Sequence, residues 1–295
     1  MARASTLAAI IMALVLLCEG SARAQESLEA LQKRAATGNA DAQTALGKRY
    51  RNGEGVRQDL EQAAHWFRLA AAQGNAEAED NLGFLYDYGG GLPIDHQEAA
   101  RWYRKAADQG SADAALNLAW LYDSGQGLPV DRAEAVRWYR TAAEKGSGDA
   151  AFDLGVMYEN AQGVPQDYGE AARWYRKAAD QDMHIAQLSL GRLYARGHGV
   201  SRDLAEAARW YRKAADLGLA SAQYQLSLAY SSGQGVPSDP VAAYQWMDLA
   251  TFRANGSNRE KYATARDALA AHMTSVQLGE AKHRADEWKS AWKQH

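Results

Sequence analysis

The sequence predicts an all-α protein, an array of six 36-residue helix-turn-helix repeats closed at both ends by capping helices. Three observations carry that expectation. Tryptophan recurs at a constant step, Trp66, Trp102, Trp138, Trp174, Trp210 and Trp246 each standing 36 residues from the next, and a fixed period of this length marks a solenoid. Apolar residues make up 47% of the chain and much of that share is alanine, the best helix former. No long β-branched run with a period of two occurs, so strands have no signal.

The first 24 residues are a different material. Arg3 gives a short basic start, Leu7 to Leu17 is an 11-residue apolar run, and Ala22, Arg23 and Ala24 form a small-x-small cleavage site. The run is too short to span a bilayer as a helix and reads as a cleaved secretory signal, with the mature chain beginning near Gln25. Cys18 is the only cysteine, so an exported form would rely on packing without disulfides. Residues 25–38 are expected to form an N-terminal capping helix, followed by units 39–74, 75–110, 111–146, 147–182, 183–218 and 219–254, and then by capping helices in 255–295.

Each unit has a physical grammar. Its first half carries Ala (Ala42 to Ala222), Leu (Leu46 to Leu226) and Tyr (Tyr50, Tyr86, Tyr122 and onward to Tyr230) four residues apart, which puts them in one stripe on a helix. A glycine-rich turn follows, its last glycine present in every unit (Gly55, Gly91, Gly127, Gly163, Gly199, Gly235), as expected where the backbone needs positive φ. The second helix starts at an aspartate N-cap, Asp59, Asp95, Asp131, Asp167, Asp203 or Asp239, and five of the six have Gln or Glu three residues on, the capping-box spacing. Alanines and the Trp-Tyr pair then give that helix two adjoining apolar faces. The pairs Arg104 with Asp108, Arg140 with Glu144, Arg176 with Asp180, and Arg212 with Asp216 are spaced to neutralise the basic stripe locally. Two replacements mark an irregular junction between units four and five: Ala161 stands for a turn glycine, and Asp182 for a helix-ending glycine. Thr274 with Gln277 predicts a capped last helix, and Trp288 with Trp292 would seal the array.

The consensus AxxxLGxLYxxGxGVPxDxxEAARWYRKAADQG resembles the Sel-one-like repeats (SLR), relatives of the tetratricopeptide (TPR) repeat. That resemblance implies a right-handed α/α superhelical solenoid used as a protein interaction platform, with the first helix of each unit lining the concave side. Together with the signal-like start, it favours a bacterial periplasmic or secreted protein over a eukaryotic lumenal one.

Function is then sought where the units differ. On the helical wheel, the seventh, tenth and thirteenth positions lie opposite the Ala-Leu-Tyr stripe. In units two to four they are Asn81, Phe84 and Asp87; Asn117, Trp120 and Asp123; and Asp153, Val156 and Glu159. An exposed apolar strip flanked by amides and carboxylates suits an extended polypeptide partner, with Asn gripping its backbone and acids meeting its basic side chains. Other chemistries have little support. The formal net charge of −3 does not recommend nucleic acid, the seven histidines neither repeat nor pair at metal spacing, and no cofactor is indicated. The alternatives are an envelope regulator or exopolysaccharide assembly scaffold, or a β-lactamase-like or penicillin-binding activity like that described for cysteine-rich relatives. Ser290 to Lys293 matches a Ser-x-x-Lys spacing, but the companion S-D-N and K-T-G elements are missing. The expectation is a protein that is not an enzyme.

Overall fold

The computed structural model describes residues 27–292; the predicted signal segment lies outside them, as does Lys293. Every regular element among the described residues is a helix, as the alanine content and the period require. The chain divides into two compact units. The first holds the described residues up to Leu121 with Gln126–Leu128, and the second holds Tyr122–Gly125 and the described residues from Pro129 onward.

The first unit contains α1 (Leu28–Ala36), α2 (Ala40–Asn52), α3 (Leu60–Ala71), α4 (Ala76–Tyr88), α5 (His96–Asp108) and most of α6 (Ala112–Ser124). Helix α1 caps the front, its Leu31 and Ala35 buried with Ala42 and Leu46 of α2. The second unit contains α7 (Arg132–Glu144), α8 (Gly148–Glu159), α9 (Tyr168–Ala179), α10 (His184–Arg196), α11 (Leu204–Asp216), α12 (Ala220–Ser232), α13 (Pro240–Arg253), α14 (Gly256–Ala270) and α15 (Ser275–Trp292). The Ala-Leu stripe forms the core in every repeat, with Leu46, Leu82, Leu118, Leu154, Leu190 and Leu226 fully buried. Trp138, Trp174, Trp210 and Trp246 are buried as well; Trp66 and Trp102 are half-buried.

Local hydrogen bonding shows why the turns repeat. All six N-cap aspartates accept from the backbone two or three residues on, as from Glu98 N at 3.0 Å to Asp95 and from Glu134 N at 3.0 Å to Asp131. Each also donates its own N–H to the carbonyl of the repeat tyrosine, as Asp95 does to Tyr86 and Asp131 to Tyr122 at 2.9 Å. From the second repeat onward the invariant glycine answers to two constraints. Gly91 has φ +74°, and a Cβ there would lie 2.4 Å from the carbonyl carbon of Leu60 in α3; one at Gly163 would lie 2.4 Å from the carbonyl oxygen of Arg132 in α7. Only glycine lets the turn rest on the start of the preceding second helix.

The repeated glutamate of EAARWYR also does more than close a capping box. Glu134, Glu170 and Glu206 each accept from the tryptophan indole four residues on, at 3.0 Å, and each pairs with the arginine three residues on. The second arginine has a partner besides the acid four residues on, and Arg212 still attracts the Asp216 carboxylate against the effect of burial. Arg140 donates to the Tyr158 hydroxyl at 2.5 Å, and Arg176 and Arg212 donate to Tyr194 and Tyr230. In each case a guanidinium crosses to the tyrosine of the next repeat, and for Arg176 and Arg212 it also lies over that ring, so that the flat donor fork meets an aromatic ring and an acceptor together.

At the irregular junction the chain keeps the repeat's backbone without its glycines. Ala161 has φ 57° and Asp182 φ 60°, and Met183, at the N-cap where Asn or Ser stands in earlier units, makes no side-chain cap bond. At the back, α15 packs over the last repeat. Thr274 and Gln277 form the reciprocal capping box, Ala281 and Ala285 are buried, Trp288 packs on the cluster around Trp246, and Trp292 stacks on Trp288 at 5.0 Å under the Arg253 guanidinium. Asp248 of α13 holds Lys289 at 2.6 Å and Arg266 at 3.3 Å.

Candidate functional site

Two of the three tenth-position residues expected to form the strip are exposed. In the first compact unit Phe84 and Trp120 are each 42% exposed, and Tyr88, one turn beyond Phe84, is 63% exposed with its ring 4.6 Å from that of Phe84. In the second unit Val156 is half-buried. Isolated apolar side chains on a surface are ordinary, but the Phe84–Tyr88 ring pair on α4 is a larger exposed apolar feature, of the kind that can mark a contact surface, and α6 of the same unit exposes Trp120.

The polar residues expected beside that strip are less free than the helical wheel suggests. Asn81 is only 8% exposed; it donates to the Glu77 carbonyl at 2.6 Å and accepts from the Arg51 guanidinium. Asp87 is 6% exposed, with His96 Nδ1 at 2.7 Å from its Oδ1 and the Tyr103 hydroxyl donating to Oδ2 at 3.4 Å. Glu159 accepts from the Tyr175 hydroxyl at 2.6 Å, and Asp123 pairs with Arg132 at 3.2 Å. The reason lies across the hairpin. The thirteenth position faces the ring of the second helix 16 residues later, so an acid there serves a buried phenol; burial and the nearby carboxylate push the Tyr103 and Tyr175 hydroxyls up. Asn117 is half-buried. Asp153 is half-buried, its carboxyl pushed up to about 6 by burial, with Asp149 and Asp123 adding repulsion.

The structure brings forward one residue that the wheel does not. Asp80 sits at the sixth position of its repeat, where the other units carry Thr44, Leu116, Phe152, Leu188 and Tyr224. Its Oδ1 is buried and accepts no hydrogen bond. Burial, then the charges of Asp113 and Glu77, push its carboxyl up to about 6 against the pull of Arg51. It opens on a cavity of about 460 Å³ lined also by Lys48, Arg51, Glu77 and Asp113. The signal in the sequence is a carboxylate at a place the other units fill with apolar side chains or threonine.

Among the described residues no group of three or more His, Cys, Asp or Glu side chains is arranged to hold a metal ion, and no helix is long and apolar enough to cross a membrane. Ser290 lies on the face of α15 and donates its hydroxyl to the Asp286 carbonyl at 2.8 Å.

Comparison with known proteins matches this architecture. The Sel1 repeat family model matches six times, at residues 40–75, 76–111, 112–147, 148–183, 184–219 and 220–251. The chain is 37% identical to a protective antigen present in uropathogenic Escherichia coli strains and displaying an SLR fold, over 89% of this chain and 56% of that one, with a TM-score of 0.79. It therefore spans little more than half the length of that protein. A Sel1 repeat protein from Oxalobacter formigenes is 34% identical over 77% of this chain and 94% of its own, with a TM-score of 0.64. No curated protein matches the chain.

Proposed function

Because the chain belongs to the Sel1 repeat family, we propose that it is an exported, non-catalytic scaffold of the cell envelope that holds a polypeptide partner on the exposed side of its first helices. Proteins of this family are in general protein–protein interaction scaffolds rather than catalysts. The observation that carries the reading to this chain is the exposure of Phe84, Tyr88 and Trp120 on α4 and α6, while the residues common to all units are consumed in packing. Aromatic side chains held on rigid helices make good binding anchors because they bury much area at little entropic cost. Export rests on the apolar segment and the small-x-small site at residues 7–24; amino-terminal sequencing of the extracytoplasmic protein should begin at Gln25.

The test is cross-linking of the tagged protein in its own envelope followed by mass spectrometry, comparing the natural chain with a Phe84→Ala/Trp120→Ala variant. The reading expects a polypeptide cross-linked to the natural chain and lost from the variant at unchanged helix content. Recovery of a sugar or cell-wall fragment in place of a polypeptide would replace it with a polysaccharide scaffold.

A further inference from the structure

We propose that the α4–α6 surface of the first compact unit recognises a polypeptide segment carrying a lysine or arginine two residues from a bulky apolar residue, the cation seated at Asp80 and the apolar side chain on Phe84 and Tyr88. This rests on the preceding reading of the surface as a polypeptide site and adds the partner's chemistry.

Charge makes the surface selective. Helix α4 carries Glu77, Glu79, Asp80 and Asp87 and no basic residue. Three of these acids are engaged: Glu77 with Lys48 at 2.7 Å, Glu79 with the Gln109 amide at 2.6 Å, and Asp87 with His96 and Tyr103. Asp80 retains a buried oxygen without a donor. Every element packed around it contributes a charge or a dipole. Arg51 of α2 attracts it but is committed to Asn81, Lys48 is committed to Glu77, Asp113 at the start of α6 and Glu77 on its own helix repel it, and Tyr103 of α5 lies within reach of its field. The result is a cavity of about 460 Å³ in which an anion is underserved. A guanidinium or ammonium group brought by a partner into the cavity that Asp80 lines would supply a counter-charge to its carboxylate and offset the repulsion from Asp113.

Geometry sets the spacing of the motif. Asp80 and Phe84 are one helical turn apart on α4, about 6 Å along the axis. An extended segment places side chains i and i+2 on the same face about 6.8 Å apart. A strand lying along α4 therefore presents Lys/Arg-x-apolar, in either chain direction, with the cation over the cavity and the apolar group on the 4.6 Å Phe84–Tyr88 ring pair.

The experiment is selection of a random dodecapeptide phage library on the purified protein at pH 7.5, with affinities of the enriched synthetic peptides measured by calorimetry. Enrichment of Lys/Arg-x-aromatic or Lys/Arg-x-aliphatic motifs is expected. Asp80→Asn should weaken these peptides at least tenfold with helix content unchanged. For the natural chain, affinity should fall at least fivefold between pH 7.5 and pH 5, as Asp80 takes up a proton, and Asp80→Asn should flatten that dependence. Peptides that need Phe84 and Trp120 but show no cationic preference and ignore Asp80→Asn would overturn this inference alone. Peptides indifferent to all three residues, or no enriched peptide, would remove the polypeptide reading with it. Displacement of an enriched peptide by millimolar calcium at constant ionic strength would make Asp80 and Asp113 a cation site and overturn the proposal.

Discussion

At the scale of the residue, Asp80 holds a carboxylate where burial and neighbouring charges disfavour it. A carboxyl raised from 3.8 to about 6 on folding favours its protonated form in the native state, so its stabilising effect is complete below about pH 4 and is lost as pH rises through 6. A rise of that size corresponds to about 3 kcal/mol at neutral pH as an upper value. Asp80→Asn should accordingly raise the denaturation midpoint at pH 7 and leave it nearly unchanged at pH 4, measured by urea titration at both values. Asp153, raised to about 6 mainly by burial, should behave alike. Glycine gives the converse case. A Cβ on Gly155 would lie 2.6 Å from the Tyr175 ring, so Gly155→Ala should destabilise by about 1–3 kcal/mol through overpacking despite alanine's better helix propensity. Ala161 holds φ 57°, a left-handed conformation unfavourable to a residue with a Cβ, and Ala161→Gly should stabilise by about 0.5–1 kcal/mol net of the added freedom of the unfolded chain. Of these residues, the departure at Ala161 is legible in the sequence. Asp80 is legible only by comparing the sixth position across the repeats, because the wheel points to the most exposed positions and Asp80 lies at their buried margin.

At the scale of the element, the two helices of a hairpin are joined by a small set of repeated bonds. The N-cap aspartates, the turn glycines and the buried stripe are readable because each obeys a local rule of spacing. The cross-helix partners are not, because they depend on which ring sits 16 or 18 residues away. Thus Asp87 and Glu159, expected on the exposed side, serve Tyr103 and Tyr175 instead, and the second arginines reach the next repeat's tyrosine. The capping-box glutamate is the most connected of these residues. Glu170 takes the Trp174 indole N–H and the Arg173 guanidinium, and Trp174 is fully buried. Glu170→Ala leaves a buried indole donor without an acceptor and should lower stability by about 1–3 kcal/mol, read as a shift in urea midpoint. The same substitution at Glu98, beside the half-buried Trp102, should have a smaller effect.

At the scale of the whole molecule, a repeat array needs covers for its terminal packing faces. Helix α15 provides one through Ala281, Ala285, Trp288 and the Lys289–Asp248 pair. Ending the chain before Ser275 would bare the cluster around Trp246 and Leu249, and should lower the melting temperature and bring on binding of a hydrophobic dye under native conditions. The array, its period and both covers are legible because repetition multiplies a weak local signal. The proposed partner surface is legible only in part, since the proposal places it in the residues on which the repeats disagree.

The central claim is that shared residues build the scaffold while unshared ones choose the partner. It is tested most directly by measuring thermal stability and envelope cross-linking side by side for Trp174→Ala and for Phe84→Ala/Trp120→Ala. The account predicts a large drop in melting temperature for the first, and for the second an unchanged melting temperature with loss of the cross-linked polypeptide. A variant at Phe84 and Trp120 that melts as early as Trp174→Ala, or one that keeps its cross-links in full, would contradict it.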